Sequence, residues 1–300
     1  MGPRGLNKFF RSKNPDGIKE VGLANFSGKT IVIDASIYLY RFNTNNELIE
    51  NLYIMINMLK RHTITPLFIF DGKPPPEKYE SLNNRRKERD DAEKLYNILT
   101  VNGSHSDVSK LLLEKLKRKK TKINSQNRQE AKQLLEVCGI SYIEAEGEAD
   151  ELCAYCVLNN IADACLSDDM DLFIYGCPRI LRYFSMMNQT VVYYDLDKIL
   201  NALNIPQNVF TTITILSGTD YNNQVMSIDS LYSEYIQNNN RFMQRMDVLL
   251  SNNEHIQNIK EYYEITGKKF NDVISTRKYF NYNKQKERNF LSSYHFIFIE

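Results

Sequence analysis

The sequence has no apolar run approaching the roughly 18 residues that a membrane-spanning helix needs, so no membrane partner is expected. Its opening residues, MGPRGLNKFF, lack the apolar segment of a secretory signal. Met1-Gly2 begins like a myristoylation site, but Leu6 stands where Ser or Thr is needed. Cysteines are few and odd in number: Cys138, Cys153, Cys156, Cys165 and Cys177. Reduced thiols, in the cytosol or nucleus, are the expectation. Cys153 and Cys156 form one C-x-x-C with no second pair and no His pair at zinc spacing. They read as small core residues on a helix.

What the chain does have is segregated charge. The net charge is only +1. Yet between Glu144 and Asp171 stand Glu144, Glu146, Glu148, Asp150, Glu151, Asp163, Asp168, Asp169 and Asp171, with no Lys or Arg. Between Lys110 and Lys122 stand Lys110, Lys115, Lys117, Arg118, Lys119, Lys120 and Lys122 against one acid, Glu114. Acids beside a basic strip suit a metal site next to a polyanion path. Two solvated faces would look the same.

The first half alternates short apolar runs with helical patterns. TIVID (30–34), TPLFIFDG (65–72), ISYIEA (140–145), ADACLSDD (162–169), ILRYF (180–184) and VVYYD (191–195) read as strands. Residues 36–61, 79–100, 109–137 and 149–159 read as helices, with a flexible break at Asn102-Gly103-Ser104. From Leu196 the chain looks mainly helical, with a loop at NNNRF (238–242). The alternation predicts an α/β fold with a mostly parallel central sheet covered by helices on both faces. In such sheets ligands bind outside the carboxyl ends of the strands.

That rule draws attention to acids at structural transitions: Asp34, Asp71, Glu148, Asp150, Asp169, Asp171 and Asp220. Singly, each has a structural reading as a helix cap, a turn residue or a partner of a helix dipole. Gathered at one rim, they would repel one another, and cations between them would relieve the repulsion. Oxygen ligands without a His set point to a hard ion, Mg²⁺ or Mn²⁺. Two such ions about 4 Å apart suit phosphodiester hydrolysis.

These residues also carry a resemblance. MGPRGLNKFF, Asp34-Ala35-Ser36 with Tyr40, Phe70-Asp71-Gly72-Lys73-Pro74-Pro75, Gly147-Glu148-Ala149-Asp150, Asp168-Asp169-Met170-Asp171 and Leu216-Ser217-Gly218-Thr219-Asp220-Tyr221 resemble, in order and spacing, the motifs of flap endonucleases and XPG-type nucleases. The resemblance covers roughly residues 1–222. It implies a PIN-like 5′-nuclease domain with a helical arch at about 80–137, followed by a divergent, mainly helical region over 223–300. It implies that Asp34, Asp71, Glu148 and Asp150 serve one Mg²⁺ and Asp169, Asp171 and Asp220 a second, with Mn²⁺ able to substitute. Lys78 and Arg85 would hold the scissile phosphate, Tyr40 would stack on a base, and Gly2 would lie near the active site. The arch bases would guide a 5′ single strand. The implied substrate is DNA with 5′ flaps, ends or branches, recognised by shape and phosphate.

The sequence also departs from the family. Where the family carries a Gly-x-Gly hairpin that grips duplex, often with K⁺, this chain reads Asn222 to Ser230 without glycine. That leaves duplex gripping and a K⁺ site open. Lys268, Lys269, Arg277, Lys278, Lys284, Lys286 and Arg288 are candidate substitutes. Asp150, rather than Glu, resembles the exonuclease branch, so flap and exonuclease activities both stay open. No sliding-clamp peptide is visible, and the sequence ends on an apolar run, Phe296–Ile299. Other replication or recombination proteins are candidate partners. The tail and the Asn/Ile/Lys/Tyr-rich composition resemble flap-endonuclease-like proteins of large cytoplasmic DNA viruses such as poxviruses. A viral origin implies cytoplasmic replication sites; a cellular one implies the nucleus. The rival functions are a PIN-like ribonuclease, a Mg²⁺ phosphatase, disfavoured because Ala35-Ser36 follows Asp34, and a non-catalytic DNA-structure-binding scaffold.

Overall fold

The computed structural model describes all residues except 1, 4, 14, 102–106, 223–225, 266 and 298–300, and only the backbone of 77, 107, 108 and 267–269. Its strands are β1 (Ile18–Gly22), β2 (Thr30–Asp34), β3 (Thr65–Phe70), β4 (Ser141–Glu144), β5 (Ala164–Leu166), β6 (Arg179–Ser185) and β7 (Thr190–Asp195). They form one sheet in the order β1-β7-β6-β5-β2-β3-β4. β6, β5, β2, β3 and β4 run parallel. β7 and β1 extend the edge antiparallel.

Side chains alternate across the sheet as the pleat requires. Val32, Leu67 and Ile69 enter a core with α1 (Leu6–Lys13), α7 (Ala149–Leu158), α8 (Asp171–Ile174), α9 (Leu196–Leu203) and α10 (Gln207–Leu216). Ile31, Ile33, Phe68 and Phe70 enter the opposite core with α2 (Ala35–Phe42), α3 (Leu48–Arg61) and α6 (Ser125–Val137). Both faces of the central strands are therefore covered, which explains their nearly continuous apolar sequences. The α/β expectation holds.

Two helices stand apart from these layers. α4 (Tyr79–Val101) buries only Ala92 among its 23 residues, and it packs along α5 (Asp107–Lys120). They occupy the place where the resemblance implies an arch over about 80–137, but α6 is not part of that pair: its Ala131, Leu134 and Leu135 lie in the core. The tail is α11 (Ile228–Gln237), α12 (Asn239–Ser251), α13 (Glu254–Tyr263), α14 (Gly267–Ser275) and α15 (Lys284–Ser292). Its Phe242, Met246, Ile256, Ile259 and Tyr263 share a core with the sheet, and Leu291 joins the other.

Four sequence expectations change. Residues 36–61 are two helices, because Asn43–Asn45 tighten into a 3₁₀ turn and Asn46 adopts φ 61°. Asn tolerates that left-handed conformation. Residues 109–137 likewise split, since Asn124 begins α6 with a capping box to Asn127. Residues 239–242 are not a loop: Asn238 accepts from the Arg241 N–H at 3.0 Å and starts α12. β1 was not expected. The break at Asn102-Gly103-Ser104 and the last residues of the Phe296–Ile299 run lie outside the described residues, while the Phe296 ring meets Tyr53 edge-on at 5.5 Å.

Candidate active site

The parallel strands end at one rim, and the acids collect there. Asp34 closes β2 and caps α2, accepting from Ser36 N at 3.0 Å. Its other oxygen accepts from Ser167 Oγ at 3.2 Å, which ties it to the loop after β5. Asp71 follows β3; it accepts from Ala149 N at 2.8 Å and from the Ser36 hydroxyl. Glu148 and Asp150 open α7, both buried. Asp169 accepts from Asp171 N at 3.1 Å at the start of α8. Asp220 follows α10. The cap and the cluster are one arrangement: the backbone groups that orient Asp34 and Asp71 also aim them at the rim.

Gly72 joins two of these loops. Its N–H donates to Gly147 O at 2.7 Å and the Lys73 N–H to Glu146 O at 2.9 Å. A β-carbon at Gly72 would fall on the carbonyl oxygens of Ala145 and Glu146. Only glycine allows this approach. Gly2 lies against the acids: a β-carbon there would sit 2.8 Å from the Met170 β-carbon, 2.9 Å from Asp171 Oδ1 and 3.0 Å from Asp169 Oδ1.

Electrostatically the acids strain one another. Burial first, then Asp71 and Asp169, push the Asp34 carboxyl well above the usual range. Burial, then Glu148 and Asp169, do the same to Asp150. For Asp171 the causes are burial, then Asp169 and Asp220. Lys78 and Arg85 pair directly with acids of the cluster. Lys78 Nζ, at the foot of α4, pairs with Glu148 Oε1, and Arg85, within α4, pairs with Asp220. Burial alone would lower the Lys78 pKa; Asp150 and Glu148 outweigh it and raise it. As placed, no three His, Cys, Asp or Glu side chains among the described residues form a ligand group. Yet the set fits hard divalent ions. The donors are all oxygen, the acids repel one another, and Asp171 Oδ1 is buried without a hydrogen-bond partner.

A cavity of about 460 Å³ opens over this rim, lined by Tyr40, Lys78, Arg85 and the acids Asp34, Asp71, Glu148, Asp150 and Asp169. Tyr40 is exposed, and it also lines a neighbouring cavity of about 890 Å³ with Arg41, Arg118 and Tyr183. Of the arch bases, Lys119 pairs with Glu88 at 3.1 Å, and Lys122 with Glu93 at 2.7 Å and Asp90 at 3.6 Å. Lys120 sits 3.8 Å over the Tyr96 ring. Lys119 and Lys120 therefore hold α5 to α4, and Lys122 holds the segment after α5 to it, as well as adding charge. Lys110, Lys115 and Arg118 are exposed and Lys117 is half-buried.

Sequence reasoning missed Arg128, whose guanidinium donates to the Asp71 carbonyl and lines the cavity, and also Ser36 and Ser167. It missed Tyr262 and Tyr263, whose hydroxyls reach the acids from the tail. Of these, only Ser36 stands in a motif, Asp34-Ala35-Ser36, which assigned it no role. Asp168, beside the site acids, instead accepts from Tyr183 N at 2.7 Å. Of the region lacking hairpin glycines, 223–225 lie outside the described residues; Asn222 is buried and Ser227 caps α11. Of the tail bases, Lys278 pairs with Glu144 at 3.7 Å, and the side chains of Lys268 and Lys269 are not described.

Residues 1–92 match the XPG N-terminal domain and residues 139–220 the XPG I-region. The chain belongs to the XPG/flap-endonuclease family. It is 29% identical over 265 residues to Flap endonuclease 1 of Aedes aegypti, covering 82% of this chain and 68% of that one. It is 31% identical over 247 residues to Flap endonuclease 1-A of Oryza sativa subsp. japonica, covering 76% of this chain and 64% of that one. The chain thus spans less than two thirds of the rice relative. Among solved structures, the fold resembles the catalytic core of Rad2 in complex with DNA substrate, with a TM-score of 0.67, 21% identity and coverage of 97% and 95%. It resembles human GEN1 in complex with Holliday junction DNA, with a TM-score of 0.69, 19% identity and coverage of 98% and 74%. Between the two XPG matches lie the end of α4 and all of α5 and α6, and beyond them the whole tail.

Proposed function

We propose that this member of a family of structure-specific 5′ nucleases is itself a Mg²⁺-dependent phosphodiesterase that cuts DNA at 5′ flaps, ends or branches. The carrying observation is the convergence of Asp34, Asp71, Glu148, Asp150, Asp169, Asp171 and Asp220 at one rim, with Lys78 from the turn before α4 and Arg85 from α4 paired to two of them. Asp34, Asp71, Glu148 and Asp150 would hold one divalent ion, and Asp169, Asp171 and Asp220 a second. Bound ions of this kind supply an activated water and charge relief at the leaving oxygen. Lys78 and Arg85 exchange their carboxylate partners for the scissile phosphate and stabilise its developing charge. Tyr40, exposed at the mouth, stacks on a base without reading sequence. The arch bases attract the single strand, Lys115 and Arg118 foremost because they are not tied to α4. A viral origin would place this work at cytoplasmic replication sites, a cellular one in the nucleus.

The test is cleavage of a labelled 5′-flap DNA with Mg²⁺, beside nicked-duplex, blunt-duplex and RNA-flap substrates, with Asp171→Asn as control. Cutting of DNA that the control lacks is expected, and the preferred substrate separates flap from exonuclease activity. A folded protein that cuts none of the four substrates would overturn the proposal.

A further inference from the structure

The end of α13 reaches into the acid rim. Tyr262 and Tyr263 are adjacent, so their side chains leave the helix about 100° apart and can serve different targets. Tyr263 donates to Asp171 Oδ2 at 3.1 Å and Tyr262 to Glu148 Oε2 at 3.1 Å. Tyr221, next to Asp220, also donates to Glu148 Oε2. The rings pack against each other: Tyr221 and Tyr262 have centroids 4.7 Å apart, and Tyr175 and Tyr263 4.8 Å. At the other end of the helix, His255 Nε2 lies 3.1 Å from the Tyr221 carbonyl. The helix is thus tied to the rim at both ends.

The pattern of contacts is selective. An ionised carboxylate only accepts hydrogen bonds, so each phenol must donate. On Glu148 the phenols take Oε2 and leave Oε1 toward Lys78. On Asp171 the phenol takes Oδ2 and leaves Oδ1 buried without a partner. Each carboxylate has one oxygen fixed by tyrosine and the other left to the acid rim, Glu148 Oε1 beside Lys78 and Asp171 Oδ1 beside Gly2. Hydrogen bonds of this kind set the orientation of metal-binding carboxylates.

We infer that Tyr262 and Tyr263 are positioning residues that hold Glu148 and Asp171 for divalent-ion binding, so that the tail is part of the metal centre. The inference rests on the metal-site reading above. α13 lies beyond both XPG matches, the later of which ends at residue 220. Packing alone would explain the rings but not two hydroxyls each seated on an acid.

Phenylalanine keeps the ring and removes only the hydroxyl. The test is Mn²⁺ binding to the full-length chain without DNA, followed by the paramagnetic resonance of free Mn²⁺. Wild type is compared with the Tyr262→Phe/Tyr263→Phe double variant and with Tyr232→Phe. The Tyr232 hydroxyl donates to the Leu203 carbonyl, away from the acids. The double variant is expected to bind Mn²⁺ about 10–100-fold more weakly. Its cleavage of flap DNA should fall at limiting Mg²⁺ and recover at high Mg²⁺, with the KM for DNA unchanged. Tyr232→Phe should match wild type in affinity. Unchanged Mn²⁺ affinity in the double variant, an equal loss in Tyr232→Phe, or no Mn²⁺ binding by wild type would each overturn the inference. Tight binding by wild type, weakened in the double variant, but without cleavage of any substrate, would overturn the nuclease proposal and leave this one standing.

Discussion

A β-carbon on Gly2 would lie 2.9 Å from Oδ1 of Asp171. Gly2 also has φ +95°, a conformation that L side chains rarely adopt. The start of the chain is therefore a wall of the acid rim. Gly2→Ala must strain the backbone by about 1–2 kcal/mol or push the wall away. We predict roughly tenfold weaker Mn²⁺ binding and slower cleavage, with a melting temperature close to wild type. An alanine variant as active as wild type would show that this contact has no functional weight.

Lys78 and Arg85 should separate into different defects. The Lys78–Glu148 pair is buried, with side-chain exposures of 11% and 10%. Lys78→Met leaves Glu148 and Asp150 facing each other without their cation, which costs roughly 3–5 kcal/mol of stability. Arg85 is more exposed, so Arg85→Ala should barely move a denaturation midpoint. Its single-turnover rate should still fall about 100–1,000-fold. Urea titration and quench-flow kinetics distinguish the two; equal stability losses would contradict the assignment.

The thiols predict an alkaline weakness. Burial first, then Glu287, push Cys138 up to about 12; burial, then Cys165, do the same for Cys156. In the unfolded chain a thiol titrates near roughly 8.5. The folded values are raised, so their stabilisation is complete below the unfolded value and declines above it. Between about pH 8.5 and 10 stability should decrease by up to about 1.4 kcal/mol per thiol for each pH unit. All five cysteines are buried. A colorimetric thiol reagent should label none of them in the native protein and all of them in denaturant.

The arch bases should not act alike. Lys119 and Lys122 are engaged by acids of α4, whereas Lys115 and Arg118 are exposed. Replacing Lys115 and Arg118 with alanine should reduce the slope of log affinity for single-stranded DNA against log salt by about 1.4. The same change at Lys119 and Lys122 should reduce it by less and leave stability nearly unchanged. Fluorescence anisotropy across a salt series checks both; a reversed order would refute the assignment.

Most rim acids were legible because they follow a short apolar run or open a helix, as Asp34, Asp71, Glu148 and Asp171 do, and those transitions are written locally. β1 was not, because IKEVG is half polar and gains its order only from pairing with β7. The split at 121–124 was hidden because Thr121-Lys122-Ile123-Asn124 contains no Gly or Pro to mark a break. Arg128 reads as one more base; only the packing of α6 against α2, α3 and β4 aims it at Asp71. Tyr262 and Tyr263 read as ordinary core aromatics. Their hydroxyls meet Glu148 and Asp171, which lie 114 and 92 residues away, and no local spacing encodes that.

Phe242, Met246 and Ile259 sit in the same core as Phe173 and Ile213. Truncating one such side chain costs about 3–5 kcal/mol for a phenylalanine and about 2–5 for a methionine or isoleucine. A fragment ending at the last family motif would leave that interior open to water. The tail is therefore not an interchangeable cassette: a hybrid bearing a relative's C-terminal half would have to bring its own complement to this interior before its choice of substrate could be compared.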